Sequence, residues 1–139
     1  MRSTCVHARV SPLQALLYRL NGDTNPLHAD PSMAAAGGFE HPILHGLCSL
    51  GIACRTLVRE VAGDDASRLH SIRARFTKHV IPGEQLAVEW WAPLVTTEGV
   101  ARVHFQVRVV ERAALVLAGG VAEFRAQPVD ATALPRAKL

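Results

Sequence analysis

Between His45 and about Val61, the residues Leu47, Leu50, Gly51, Cys54, Leu57, Val58 and Val61 fall at spacings of three and four. Cys48, Ile52 and Ala53 carry the apolar surface well beyond one stripe. The spacing predicts a helix closed by Gly63-Asp64-Asp65, and a helix apolar over most of its girth has to be wrapped by other structure. A chain of 139 residues has room for one such core and not for two, so the rest of the sequence must supply the wrapping.

Beyond about residue 66 the pattern changes to period two. Ile72, Ala74 and Phe76 alternate with Arg73, Arg75 and Thr77, and Leu86, Val88 and Trp90 with Gln85, Ala87 and Glu89. Val103, Phe105, Val107 and Val109 then alternate with Arg102, His104, Gln106 and Arg108, as half-buried antiparallel strands do. Pro82-Gly83 and Glu98-Gly99 sit where hairpin turns are needed. Leu115 to Phe124 reads as a last strand in which Gly119-Gly120 marks a bulge. One long buried helix with a four- or five-stranded antiparallel sheet is an α+β layout. Upstream, residues 5–10 suit a short strand. Ser11-Pro12 then looks like a helix start leading into Leu13, Leu16, Leu17 and Leu20, Gly22 ends that helix, and Asp23 to Pro31 is a loop.

Bulk properties narrow the function. The charge of +3 is scattered, and only 5% of residues are aromatic, so the concentrated basic stripe with stacking rings that nucleic acid calls for is missing. Cys5, Cys48 and Cys54 form no CxxC pair and suggest packing thiols in a reducing compartment. No run of about 18 apolar residues is present, which argues against a membrane span, and the expectation is a cytoplasmic protein. The ending Ala137-Lys138-Leu139 is close to the Ser-Lys-Leu address, so peroxisomal import is the alternative.

The chemistry concentrates in Tyr18-Arg19-Leu20-Asn21-Gly22-Asp23-Thr24-Asn25-Pro26-Leu27-His28-Ala29-Asp30-Pro31. Pro26 prevents one continuous helix, so the loop can fold back and bring Asp23 and His28 to one point. A carboxylate and an imidazole sharing one water can take a proton from it and deliver one elsewhere near neutral pH. Pro42-Ile43-Leu44-His45-Gly46 runs into the long helix, where free N–H groups could bind a developing oxyanion; Gly46 is the candidate donor. Neither a metal nor a cofactor is expected, since Pro42 breaks the helix that would align His41 with His45.

YRLNGDTNPLHADP together with GFEHPILHGLCSLG resembles the hydratase 2 motif of (R)-specific enoyl-CoA hydratases of the MaoC-like type, and the likeness continues through Arg75-Phe76-Thr77-Lys78-His79-Val80-Ile81-Pro82-Gly83-Glu84. The resemblance implies a single hotdog fold over residues 1–126, an antiparallel sheet wrapped around the long helix, with 127–139 as a tail. It implies Asp23 and His28 as a catalytic dyad holding water, Asn25 orienting the loop, and the Gly46 amide on the thioester oxygen. More weakly it suggests Arg75 and Lys78 as contacts for CoA phosphates. The implied reaction is reversible hydration of a trans-2-enoyl thioester of CoA or of an acyl carrier protein. In the larger family members a second, degenerate hotdog precedes the catalytic one, so this chain resembles the catalytic half and a homodimer is expected. A hotdog thioesterase and a non-catalytic partner half are the competing readings. Trp90 and Trp91 face opposite sides of a strand, one of them in the core, and His70, His79 and His104 read as surface or strand positions.

Overall fold

The computed structural model describes residues 3–91, 94–95 and 99–125. The expected tail at 127–139, its Ala137-Lys138-Leu139 ending and Glu98 of the second expected turn lie outside the described residues. In chain order the elements are β1 (Ser3–Arg9), α1 (Gln14–Tyr18), α2 (Pro31–Ala36), α3 (Gly46–Ala62), β2 (Leu69–Phe76), β3 (Gln85–Trp91), β4 (Leu94–Val95), β5 (Val100–Val109) and β6 (Ala114–Arg125). Five long strands form one antiparallel sheet in the order β1-β3-β5-β6-β2, and the two-residue β4 pairs with the start of β5. This is the expected α+β hotdog, with α3 packed against β2 and β6.

The period-two reading carries through to burial on β3 and β5, but on β2 Ile72 and Ala74 are only half-buried and Phe76 is 49% exposed. Leu86, Val88 and Trp90 on β3 and Val103, Phe105, Val107 and Val109 on β5 join Leu57 and Ala53 of α3 in one apolar cluster. Trp90 is the core tryptophan of its pair; Trp91 is half-buried. The outer face is polar, and the Arg102 guanidinium donates to Glu123, its partner across β5 and β6, at 2.8 Å and 3.0 Å. Ser71 of β2 donates to the same carboxylate.

Three expectations need correction. Pro82-Gly83 is a turn, with Gly83 at φ 101°, but not a hairpin, because β2 pairs with β6 while β3 pairs with β1 and β5. The turn instead ends a crossover that takes the chain from the sheet edge to its other half. Arg112, in the turn between β5 and β6, holds this crossover by donating to Glu84 at 2.6 Å and to the His79 carbonyl at 2.9 Å. Helix α1 begins at Gln14 and not at Pro12; the Ser11 hydroxyl accepts from the Leu13 N–H and the Ser11 carbonyl from the Gln14 N–H, in a turn that leads into the helix. Its leucines do not enter the core: Leu13, Leu17 and Leu20 are 66%, 62% and 80% exposed, and only Ala15 is buried. Likewise α3 is wrapped on one face, through Cys48, Ser49, Ala53, Thr56, Leu57 and Ala62, while Leu47 is 63% exposed.

The two glycines of β6 have separate jobs. Gly119, at φ 57°, absorbs the register shift against β5, which is the expected bulge. Gly120 lies so close to β5 that an added Cβ would be 2.6 Å from the Phe105 carbonyl and 2.7 Å from its ring. Gly120→Ala should therefore destabilise the fold by about 1–3 kcal/mol, the scale of overpacking. Gly51→Ala, on the exposed side of α3 with nothing within 4 Å, should raise stability by about 0.4–1 kcal/mol. Urea midpoints of the two variants check both signs.

Candidate active site

The loop from Gly22 to Pro31 is a series of short-range locks. Gly22 takes φ 104° and closes the single 3-10 turn Arg19–Asn21. Asp23 Oδ1 accepts from the Asn25 N–H at 3.2 Å, and Asn25 Oδ1 accepts from the Leu27 N–H at 3.0 Å. Asn25 thus caps the 3-10 turn Pro26–His28, whose first residue is the proline. Asp30 repeats the device, accepting from the Ser32 N–H at 2.8 Å and starting α2 at Pro31. The loop turns back on itself at Pro26, and Asp23 and His28 come together.

Their ligating atoms and those of His45 all lie within 4.8 Å of one another. His28 Nδ1 donates to the Ile43 carbonyl at 2.7 Å, since a carbonyl can only accept. That bond fixes the tautomer: in the neutral ring Nε2 is left with a free lone pair. His45 Nε2 donates to the main-chain oxygen of Asp23 at 3.3 Å and lies 4.0 Å from Asp23 Oδ2. Its ring stacks on His28 with centroids 3.7 Å apart and planes at 25°, and Tyr18 leans on it at 4.8 Å.

His45 is 2% exposed, and its Nδ1 has no partner among the described residues. An unpaired buried acceptor costs about 1–3 kcal/mol. Two forces compete over its charge. Attraction to a carboxylate at 4 Å is worth about 1 kcal/mol in water and about 4 kcal/mol near a protein surface, and Asp23 is 55% exposed. Desolvating an imidazolium costs several kcal/mol, so burial wins. Burial pushes the His45 imidazole below its usual range, with the nearby His28 and Arg19 acting in the same direction.

A cleft of about 410 Å³ opens on this group, lined by Tyr18, Asn21, Asp23, His28, His45, Gly46, Leu47 and Phe76. Gly46 is the first residue of α3, and its amide has no acceptor among the described residues. A side chain there would meet the Phe76 ring at 3.2 Å. The structure therefore brings Asp23, His28 and Gly46 to one cleft. Asn25 stands behind them as a cap and not on the cleft wall. Lys78 lines a neighbouring cleft with Phe39, Thr77, His79 and Arg112, joined to the first through Phe76. Arg75 alternates with Phe76 on β2 and is exposed away from both clefts.

His45 and Tyr18 are the site residues that sequence reasoning passed over as ligand-facing groups. His45 was weighed only with His41, which lines a different cleft and lies 3.8 Å from Glu40. The readable signal was its place, between Leu44 and Gly46 at the mouth of an apolar helix. Asp23, His28 and His45 are the described set that could approach a metal.

A family model described as MaoC like domain matches residues 2–119. The chain is 48% identical over 118 residues to the protein named enoyl-CoA hydratase 2, peroxisomal, of Arabidopsis thaliana, covering 85% of this chain and 36% of that one. Among solved structures it is similar to a MaoC-like dehydratase from Phytophthora capsici, with TM-score 0.81, 41% identity, and coverage of 89% of this chain and 42% of the other. An (R)-hydratase from A. caviae involved in PHA biosynthesis shares the fold at TM-score 0.76 and 22% identity, with 91% of this chain and 95% of that one covered. The chain spans about a third, 36%, of the length of the curated relatives from Dictyostelium discoideum and Arabidopsis.

The buried imidazole has a stability signature. His45 and His79 both titrate below the ordinary 6.5, each chiefly through burial, so below that pH the unfolded chain binds more protons than the folded one. Their contribution is fully present above 6.5 and is lost as pH falls through the window beneath it. Urea midpoints measured from about pH 7.5 to pH 5 should decline, and less steeply in His45→Phe.

Proposed function

Because the chain belongs to the MaoC-like domain family, we propose that it adds water across the double bond of a trans-2-enoyl thioester to give the (3R)-3-hydroxyacyl thioester, and catalyses the reverse dehydration. The observation that carries this reading is the meeting of the Asp23 carboxylate, the free Nε2 of His28 and the open amide of Gly46 on one cleft. Water held between Asp23 and His28 attacks the β carbon with its oxygen. One water proton passes to the dyad, and the dyad delivers one proton to the α carbon. The charge that builds on the thioester oxygen meets the N–H of Gly46 at the positive end of α3. Relatives named as hydratases and dehydratases support the reaction class, and the (R)-hydratase shares the fold.

We also propose CoA as the carrier, with Lys78 meeting its phosphates across the cleft that Phe76 joins to the dyad; an acyl carrier protein is the other carrier. The exposed leucines of α1 and Leu47 suit cover by a second hotdog, here a second copy of the chain. No helix among the described residues is long and apolar enough to cross a membrane.

Mixing the purified chain with a short trans-2-enoyl-CoA and following the conjugated absorbance tests the reading directly. Hydration with a 3R product is expected. Asp23→Asn and His28→Ala should each lower turnover by at least about a hundredfold, the scale of a positioned acid or base. Release of free thiol without hydration would instead identify a thioesterase, and full activity in either variant sinks the dyad.

A further inference from the structure

We infer that His45 is a positioning residue for this reaction: its uncharged ring, stacked on His28 and bonded to the main chain of Asp23, sets the spacing of the dyad and does so only while it stays unprotonated. The inference rests on the reading of Asp23 and His28 as the reacting pair. His45 is the one described side chain that touches both of them, through the 3.7 Å stack on one side and the 3.3 Å hydrogen bond on the other. It is also the residue from which α3 starts, so the same side chain ties the dyad to the Gly46 amide. A phenylalanine here would stack but could not donate, and a glutamine would donate but could not stack. Histidine does both while leaving Nδ1 buried without a partner, a group that selection for stability alone would remove.

Protonation would undo the arrangement. The new Nδ1–H would have no acceptor, the charge would face the His28 ring, and Asp23 Oδ2, at 4.0 Å, would be drawn towards His45 and away from the shared water. The titratable and charged groups that face the ring are Tyr18 from α1, Arg19 from the turn after it, Asp23 from the loop and His28 from the next turn. Arg19 also donates to the Thr24 carbonyl at 3.2 Å, which keeps a permanent positive charge beside the loop and opposes a second one on His45.

The test uses two variants and one measurement on the unmodified chain. His45→Phe and His45→Gln should each lower kcat by about ten- to a hundredfold, the scale of a misplacement of about 1 Å, with KM changed far less. The acid limb of log kcat/KM against pH should be steeper by about one proton in the unmodified chain than in both variants, the extra proton being the one on His45. A kcat for His45→Phe or His45→Gln within about twofold of the unmodified value, or an unchanged slope, overturns the inference. Nitrogen-15 imidazole spectra of the unmodified, substrate-free chain decide it even if both variants misfold or the chain proves inactive on enoyl thioesters. His45 is expected to be mostly neutral, with its proton on Nε2, at pH 6.5, where an ordinary imidazole is half charged. A ring mostly charged at that pH, or protonated on Nδ1 alone, refutes it.

Discussion

The hydrogen bond from His28 Nδ1 to the carbonyl of Ile43 ties the proposed chemistry to the rigid part of this molecule. The next residue, Leu44, is buried and donates its N–H to the Val80 carbonyl at 2.7 Å, and Val80 is itself in the core. Val80 belongs to the crossover that Glu84 and Arg112 clamp against the turn between β5 and β6. An exposed loop therefore inherits its geometry from the sheet through three successive links. The imidazole that matters is held by a main-chain acceptor, and the tautomer follows from that acceptor being a carbonyl.

The site also shows where stability has been given up. A buried, unpaired ring nitrogen, exposed leucines on α1 and an open helix terminus at Gly46 all oppose what packing alone would favour. The rest of the fold compensates in ordinary ways, with an apolar cluster running from Val10 to Phe124 and a polar outer sheet face. The departures are local and gather around one cleft or the face beside it, where a ligand or second hotdog would supply the missing contacts.

Much of this was legible in the residues. The alternation after residue 66 reported burial on β3 and β5, whereas the apolar spacing before Gly63 announced a helix but not its buried face: of Leu47, Leu50, Gly51, Cys54, Leu57, Val58 and Val61 only Leu57 is fully buried, and Ser49 and Thr56 share the core side. Asp23 and His28 could be brought together on paper because Pro26 between them forbids a straight helix. What stayed hidden depended on non-local partners. Pro82-Gly83 announces a change of direction but not which strand comes next to which, so a crossover reads like a hairpin. Helix α2 is six residues long, between a capping aspartate and two glycines, too short for a periodic signal. His45 could be seen as part of a recognisable stretch, yet its role depends on a stack with a residue seventeen positions earlier. Spacing within one helix cannot report such a contact.

The anchors of the reactive loop share a trait: Ile43, Asp23 and Thr24 all serve through their peptide oxygens. A peptide oxygen is supplied by any amino acid. The side chains at Thr24 and Ile43 can consequently change while the scaffolding under the imidazoles is left untouched. The support beneath the two imidazoles is in this way carried by main chain, and the groups proposed to react, the Asp23 carboxylate and the His28 imidazole, are left as side chains standing on it.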